Sequence, residues 1–277
     1  NNLSVSSVKV TGWDAEAKTA QVQFNVTWEN AWRDATNYDA AWVFIKYSID
    51  AGATWQHATL AQQGHTITVG KEIVLPTDYK GAFIQFPAAV SSPTTLTANG
   101  TKLVWDYGKD GVTDSEAKDS TNTKVKVFGV EMVYIPAASF SAGDTSATAT
   151  LKQGSADVDP WVITSETPIP VTNVASNGFY YTSGGNSGED STGAVFTVPA
   201  LFPKGYQAFY SMKYEITEGQ WVDFFNTLTA VQKAVRDITA ATGKNSDSVV
   251  DRNTIAWVSG YATTTRPDRG CGYLSWM

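Results

Sequence analysis

The sequence predicts a mainly β protein with a smaller α+β part. A β-sandwich is expected over residues 1–124 and a more irregular α+β domain over residues 125–277. Three observations predict this. Apolar and polar side chains alternate with period two through the first part. Turn signals such as Asp50-Ala51-Gly52 and Asn99-Gly100 separate the alternating runs. Well-marked helix starts occur only after residue 216.

The alternation is clearest where Val22, Phe24, Val26 and Trp28 interleave with Gln21, Gln23, Asn25 and Thr27. That pattern gives a strand with one buried face. Further strands are predicted at Trp42–Ile49, Thr66–Val69, Lys71–Leu75, Ala82–Phe86 and Lys102–Asp106. Many short strands at this spacing point to an immunoglobulin-like sandwich. Residues 106–124 read as a loop or linker. Within it, Asp106, Asp110 and Asp114 are spaced so that their carboxylates could cradle calcium, a hard cation that takes several oxygens. The EF-hand pattern is not met, because Gly108 stands where a ligand should and no Glu closes the loop. A solvated acidic loop is the competing reading.

In the second part, Val130–Ile135 reads as a short buried strand ahead of Pro136. Residues 141–195, rich in Gly, Ser, Thr, Asn and Asp, read as a surface insertion. Their Gly-rich run, Ser183–Gly193, lacks the Gly-Lys-Ser/Thr ending of a phosphate loop. Tyr210, Met212, Tyr214 and Ile216 alternate with polar residues as a half-buried strand that leads into a helix. Thr217 and Gln220 form its capping box, with Ile216 and Trp221 at the staple positions. Trp221, Phe224, Phe225 and Leu228 then fall on one apolar face. A second box, Thr229 with Gln232, opens another helix striped by Val231, Ala234, Val235 and Ile238, with Gly243 as its stop.

Composition narrows the function classes. The net charge of −7 and the absence of any basic run argue against nucleic-acid binding. No apolar run reaches the roughly 18–20 residues of a membrane helix. The one cysteine, Cys271, excludes an intrachain disulfide. Hydrophobic residues at 42% against 17% charged, with ten Trp and twelve Tyr, suit sandwich cores and binding surfaces alike. A chain opening Asn1-Asn2 is expected to be the mature part of an exported bacterial protein, extracellular or at the cell surface, after loss of its signal peptide.

Three blocks carry a resemblance. Val130-Glu-Met-Val-Tyr-Ile-Pro-Ala-Ala-Ser-Phe-Ser-Ala-Gly143 resembles the opening strand and turn of the formylglycine-generating enzyme (sulfatase-modifying factor) family. Phe209 to Phe225, where a Glu-Ile-Thr step enters a helix with aromatic residues, is similar to its next signature. Arg266 to Trp276 resembles a later segment that ends in Ser-Trp. The blocks keep the family's order and span about residues 126–277. The resemblance implies an irregular variant of the C-type-lectin-like fold, with two helices beside a small twisted sheet. It implies an oxidase only where a late pair of cysteines binds copper. Cys271 is alone and lies outside that pair's segment. The family continues beyond Ser-Trp, so the domain is expected to be C-terminally incomplete in this chain, with apolar surface left uncovered.

The expected function is therefore a non-catalytic surface or assembly protein. Homo-oligomers, with a fibre or sheath built through sandwich edges as the specific version, or contacts with other surface proteins are its expected partnerships. The alternatives are an oxidase whose catalytic segment lies beyond this sequence, and a glycan- or ligand-binding module using Trp13, Trp32, Trp55 or Trp161. His57 and His65 have no third partner in sequence and read as ordinary strand or surface histidines. Glu215 with Glu218, or Asp247 with Asp251, could serve glycoside chemistry only at a separation that sequence does not set. No residue is nominated as catalytic, and calcium is the one candidate cofactor.

Overall fold

The alternating run 21–28 forms the middle of a long strand, and the first layer is built around it. In the computed structural model the described residues are 2–142, 151–153, 161–172, 179–181, 196–239 and 253–274. The Ser183–Gly193 run, Gly243, Asp247, Asp251 and Trp276 lie outside them. The chain is mainly β, with several antiparallel sheets and few helices. Its contacts group into two compact units, Asn1–Val133 with Met212–Met277, and Tyr134–Ser211.

The first unit holds β1 (Ser4–Asp14), β2 (Thr19–Ala31), β3 (Asp39–Ser48), β4 (Gln56–His57), β5 (Glu72–Val74), β6 (Ala82–Gln85), β7 (Thr94–Asp106), the short helix α1 (Asp114–Lys118) and most of β8 (Lys124–Ile135). One sheet runs β1-β2-β7, and a second places β8, β3, β6 and β5 side by side. Both are antiparallel. The inward side chains of the two sheets enclose one core. Val22, Phe24 and Val26 are fully buried on β2, Leu96, Leu103 and Trp105 on β7, and Val43 and Ile84 on the opposing sheet. Truncating a ring such as Phe24 to Ala there costs about 3–5 kcal/mol.

Several elements differ from the sequence expectation, each for a local reason. Asn99-Gly100 is not a turn: it is a bulge inside β7, where Phe24 faces Thr101 and Val26 faces Ala98. Gly100 takes the left-handed φ of 67° that the extra residue needs, and its N–H donates to the Asn25 side chain. Thr66–Val69 is not a strand. Only Thr66 pairs, exchanging two hydrogen bonds with Lys102 on the outer edge of β7. Residues 106–124 are not a linker, since Tyr107, Val112 and Ala117 belong to the core. Thr113 and Glu116 close a capping box there that starts α1. The strand read at Val130–Ile135 begins at Lys124 and pairs with β3 from Asp39–Val133 to Ser48–Lys124 without a register break.

The sheet edges are blunted. β1 slips register between Ser6 and Lys9 and again between Thr11 and Asp14, with Ser7 at a φ of 55°. The far edge of β7 is occupied by Thr59, Ala61 and Thr66, whose backbones bond to Asp106, Val104 and Lys102. Bulges and cover of this kind protect sheets from edge-to-edge pairing.

The second face of the β8-β3-β6-β5 sheet is also covered. The alternation read at Tyr210–Ile216 gives only the short strand at its start, and helix α2 (Glu218–Phe225) follows. Phe224 stands edge-on over Phe44 and Phe128, at 6.2 and 6.1 Å, and those two rings stack at 5.0 Å. Val222 and Phe225 face a small second core with Ile238, Ile255 and Ala262. Helix α3 (Ala230–Arg236) buries none of its residues, and Ile238 reaches that core only after the helix ends.

The other unit contains β9 (Phe140–Ala142), β10 (Leu151–Gln153), β11 (Trp161–Ile163), β12 (Ile169–Thr172), β13 (Phe179–Tyr181) and β14 (Phe196–Val198), with β15 (Phe209–Met212) leaving it. β9 pairs with β11, and a four-stranded sheet runs β10-β13-β12-β14, parallel only between β12 and β13. Glu166 gathers the backbone N–H groups of Lys204, Tyr206 and Gln207, which hold its carboxyl below the usual value. In the first unit, β16 (Ala256–Val258) and β17 (Tyr261–Thr263) form the last hairpin.

His65 gives the sandwich a measurable pH dependence. Its Nδ1 accepts from the Val104 N–H at 3.0 Å, so Nε2 carries the proton and donates to the Ala61 carbonyl at 2.8 Å. Burial pushes its pKa below 6.5, and the Ala61 carbonyl offsets only part of that. The folded state then binds fewer protons than the unfolded state, so this contribution to stability is complete above pH 6.5 and lost as pH falls below it. The expected result is a denaturation midpoint that drops between neutral and mildly acidic buffer in the wild type, and drops less in His65→Gln.

Candidate functional site

The candidate calcium ligands are not brought together. Asp106 caps its own turn, accepting from the Lys109 N–H at 3.0 Å and pairing with the Lys109 ammonium at 3.3 Å. Asp110 is filled by the Thr59 N–H, the Thr59 hydroxyl and the Trp105 Nε1–H, at 2.9, 2.6 and 2.7 Å. Asp114 accepts from the Tyr107 hydroxyl at 2.9 Å. Calcium needs several oxygens turned to one point. Among the described residues no group of three or more His, Cys, Asp or Glu offers that, so the three aspartates do not fit a shared ion. Two of their donors, Trp105 and Tyr107, are core side chains, and the Tyr107 phenol is pushed up to about 12 by burial and by Asp114.

The other candidates also go to separate places. His57 stacks on Phe44 and its Nε2 meets the Lys80 carbonyl. Trp13 is 41% exposed with its Nε1 donating to the Ala117 carbonyl. The Nε1 of Trp55 donates to the Gly52 carbonyl, and Lys126 sits over its ring at 5.2 Å. Trp32 is half-buried.

The most constrained polar site lies at the start of α2. Thr217 and Gln220 make the expected box: the Thr217 N–H donates to Gln220 Oε1 and the Gln220 N–H to Thr217 Oγ1. The segment 266–271 docks against this turn. Glu218 and Gly219 donate their N–H groups to the carbonyls of Arg269 and Pro267, and Cys271 donates to that of Ile216. Gly219 is required by the close approach, because a Cβ there would stand 2.9 Å from Pro267 Cβ and 3.0 Å from its carbonyl oxygen.

This docking seals the Glu218 carboxylate, which is fully buried. It accepts from the Thr254 N–H, from the Thr254 hydroxyl at 2.6 Å and from the Thr264 hydroxyl at 2.6 Å. Arg269 Nε stands 4.0 Å away. Burial pushes the carboxyl up, but the threonine hydrogen bonds and the Arg269 charge outweigh it and hold the pKa below the usual value. Cys271 is half-buried in the adjoining cleft with Glu215 and Met212. Burial, then the Glu218 charge, pushes its thiol up to about 12. An ionised, saturated carboxylate can accept but not donate, and a thiol held protonated is a poor nucleophile. The site ties the 266–271 segment to the start of α2, with Glu218 held ionised and Cys271 held protonated.

No family model, curated protein or solved structure matches the chain. Sequence reasoning missed Thr254 and Thr264, the threonines that hold Glu218: they lie outside every periodic run and motif, and only the fold brings them to the start of α2.

Two outcomes follow. Glu218→Ala strands the Thr254 N–H and two hydroxyls, so a destabilisation on the order of 3 kcal/mol is expected by chemical denaturation, with Glu218→Gln losing less. For Cys271, a shift to about 12 lowers the thiolate fraction steeply while raising the intrinsic nucleophilicity of what remains. Alkylation at neutral pH is expected to be roughly fifty- to a hundredfold slower in the native protein than after unfolding.

Proposed function

We propose that the chain is a non-catalytic, exported bacterial surface or assembly protein that associates with further copies of itself. In this reading, residues 126–277 carry a formylglycine-generating-enzyme-like, C-type-lectin-like frame kept as a scaffold, and the N-terminal sandwich is immunoglobulin-like. The two β-sheets with one shared core support the sandwich. The sealed, saturated Glu218 and the protonated Cys271 support a scaffolding role for this part of the chain.

One observation carries the association. Helix α3 has the apolar stripe of a packed helix, yet Val231 and Val235 are 76% and 61% exposed. The hairpin beyond it exposes Val258 and Tyr261 as well. Apolar surface concentrated on short elements is what association covers. The blunted edges of β1 and β7 direct that association to side-chain faces instead of strand addition, so a fibre would be built by face contacts.

Light scattering on the purified chain tests this. The expected result is a mass that rises above 29.9 kDa with concentration, and a Val231→Asp, Val235→Asp double variant at least about tenfold weaker in association. A monomer at every concentration would overturn the reading.

A further inference from the structure

We infer that β8, at residues 125–129, takes an extended peptide from another polypeptide as an added strand. The backbone directions carry the inference. The Ile45 carbonyl accepts from the Ala58 N–H, so Ile45 turns its backbone groups away from β8. Ile45 faces Val127, and the register between β3 and β8 has no break. Facing residues of an antiparallel pair exchange both hydrogen bonds or neither, in alternation along the ladder. Val125, Val127 and Gly129 therefore direct their N–H and C=O groups away from β3. Glu131 falls in the same alternation, and on that far side its carbonyl is met by the Lys213 N–H at 2.9 Å. Among the described residues, no such partner meets the three residues before it. The edge of β1 is bulged and that of β7 is covered, but this one runs regular. Six aligned backbone groups are a template for strand addition.

The surroundings state the kind of peptide. Two clefts of about 280 and 300 Å³ lie along the edge, one at Val127 and Gly129 and the other at Val125. β1 supplies Leu3 and Val5 to the first, and Val8, Val10 and Trp13 to the second. Val10, Val125 and Val127 pack against the sandwich core, while Val8 and Trp13 stay 36% and 41% exposed. An added strand sends alternate side chains to its two faces. Apolar side chains on one face would complete the wall begun by Val5, Val8 and Val10. The other face meets opposite charges at its two ends. Asp223 borders the first cleft, Lys118 and Lys124 border the second, and all three are exposed. A strand antiparallel to β8 enters at the Asp223 end and leaves at the lysine end. The occupant is then a segment with alternate apolar residues, a basic residue at its start and an acidic one at its end. The site is independent of association through α3.

The test is amide hydrogen exchange of the full chain, followed by nuclear magnetic resonance. The probe is a seven-residue peptide with blocked ends, Lys-Val-Thr-Val-Thr-Val-Glu. One control exchanges its Lys and Glu, and the other is methylated on the three valine nitrogens, which face β8 in the antiparallel register. Without peptide, the Val125, Val127 and Gly129 amides are expected to exchange faster than those of Lys126 and Phe128, which bond to β3. Millimolar probe is expected to slow the three amides saturably, by at least about tenfold, with the controls leaving them within about twofold. A Lys118→Glu, Lys124→Glu double variant, shown to be folded by circular dichroism, is expected to bind about tenfold more weakly. If that variant unfolds, the wild-type titration still decides. No slowing with the probe, or equal slowing with either control, would overturn the site. Protection that exists without peptide and rises with protein concentration would put a second copy on the edge and overturn the peptide assignment.

Discussion

Strand β3 is buried on both of its faces, and the first unit is arranged to satisfy that constraint. Inward, Val43, Ile45 and Tyr47 enter the core shared by the two sheets. Outward, Phe44 and Lys46 would meet water if nothing covered them. The cover is α2, whose Phe224 closes over Phe44 and Phe128. The cation of Lys46 is taken along, with its ammonium 3.5 Å from the Thr227 carbonyl and 5.0 Å from the Phe224 ring centre. Burial pushes that ammonium below its ordinary pKa. A helix placed this way needs a rigid start, which explains why the turn at Glu218 is tied so heavily to Thr254, Thr264 and the 266–271 segment.

A second buried charge group fastens the same sheet at its other end. Glu131 is 2% exposed and accepts from the backbone N–H groups of Asn2 and Leu3. Its carboxyl is pushed up by burial, against the pull of Lys213. Lys213 in turn pairs with Asp39 at 2.6 Å, and its N–H donates to the Glu131 carbonyl. Removing one member of such a buried set leaves an uncompensated charge, so the set specifies where the chain enters the unit more than it adds net stability.

What the sequence made legible follows from how far each signal is local. β2 was readable because Val22 to Trp28 alternate against half-exposed polar residues, and both capping boxes were readable because Thr and Gln three apart leave few other uses. The bulge at Asn99-Gly100 was misread because a turn and a bulge ask for the same left-handed glycine. The length of β8 was hidden because its pairing with β3 is long-range. Glu218 was the hardest to place. An acidic residue in the first turn of a helix normally faces solvent for the dipole, and only the distant hydroxyls of Thr254 and Thr264 make its burial affordable.

The pairing of β3 with β8, and the later closure by Phe224, also fix the order of events during synthesis. β4 and β6 follow β3 closely and can pair with it as they are made, but its long partner β8 is encoded only after β7. The outer face at Phe44 stays open still longer, until residues 134–211 and α2 have been made. Contacts so distant along the chain form late and slowly. A nascent chain therefore carries an unfinished, aromatic sheet face through much of its elongation, and a chaperone that shields that face meets a need set by the topology itself.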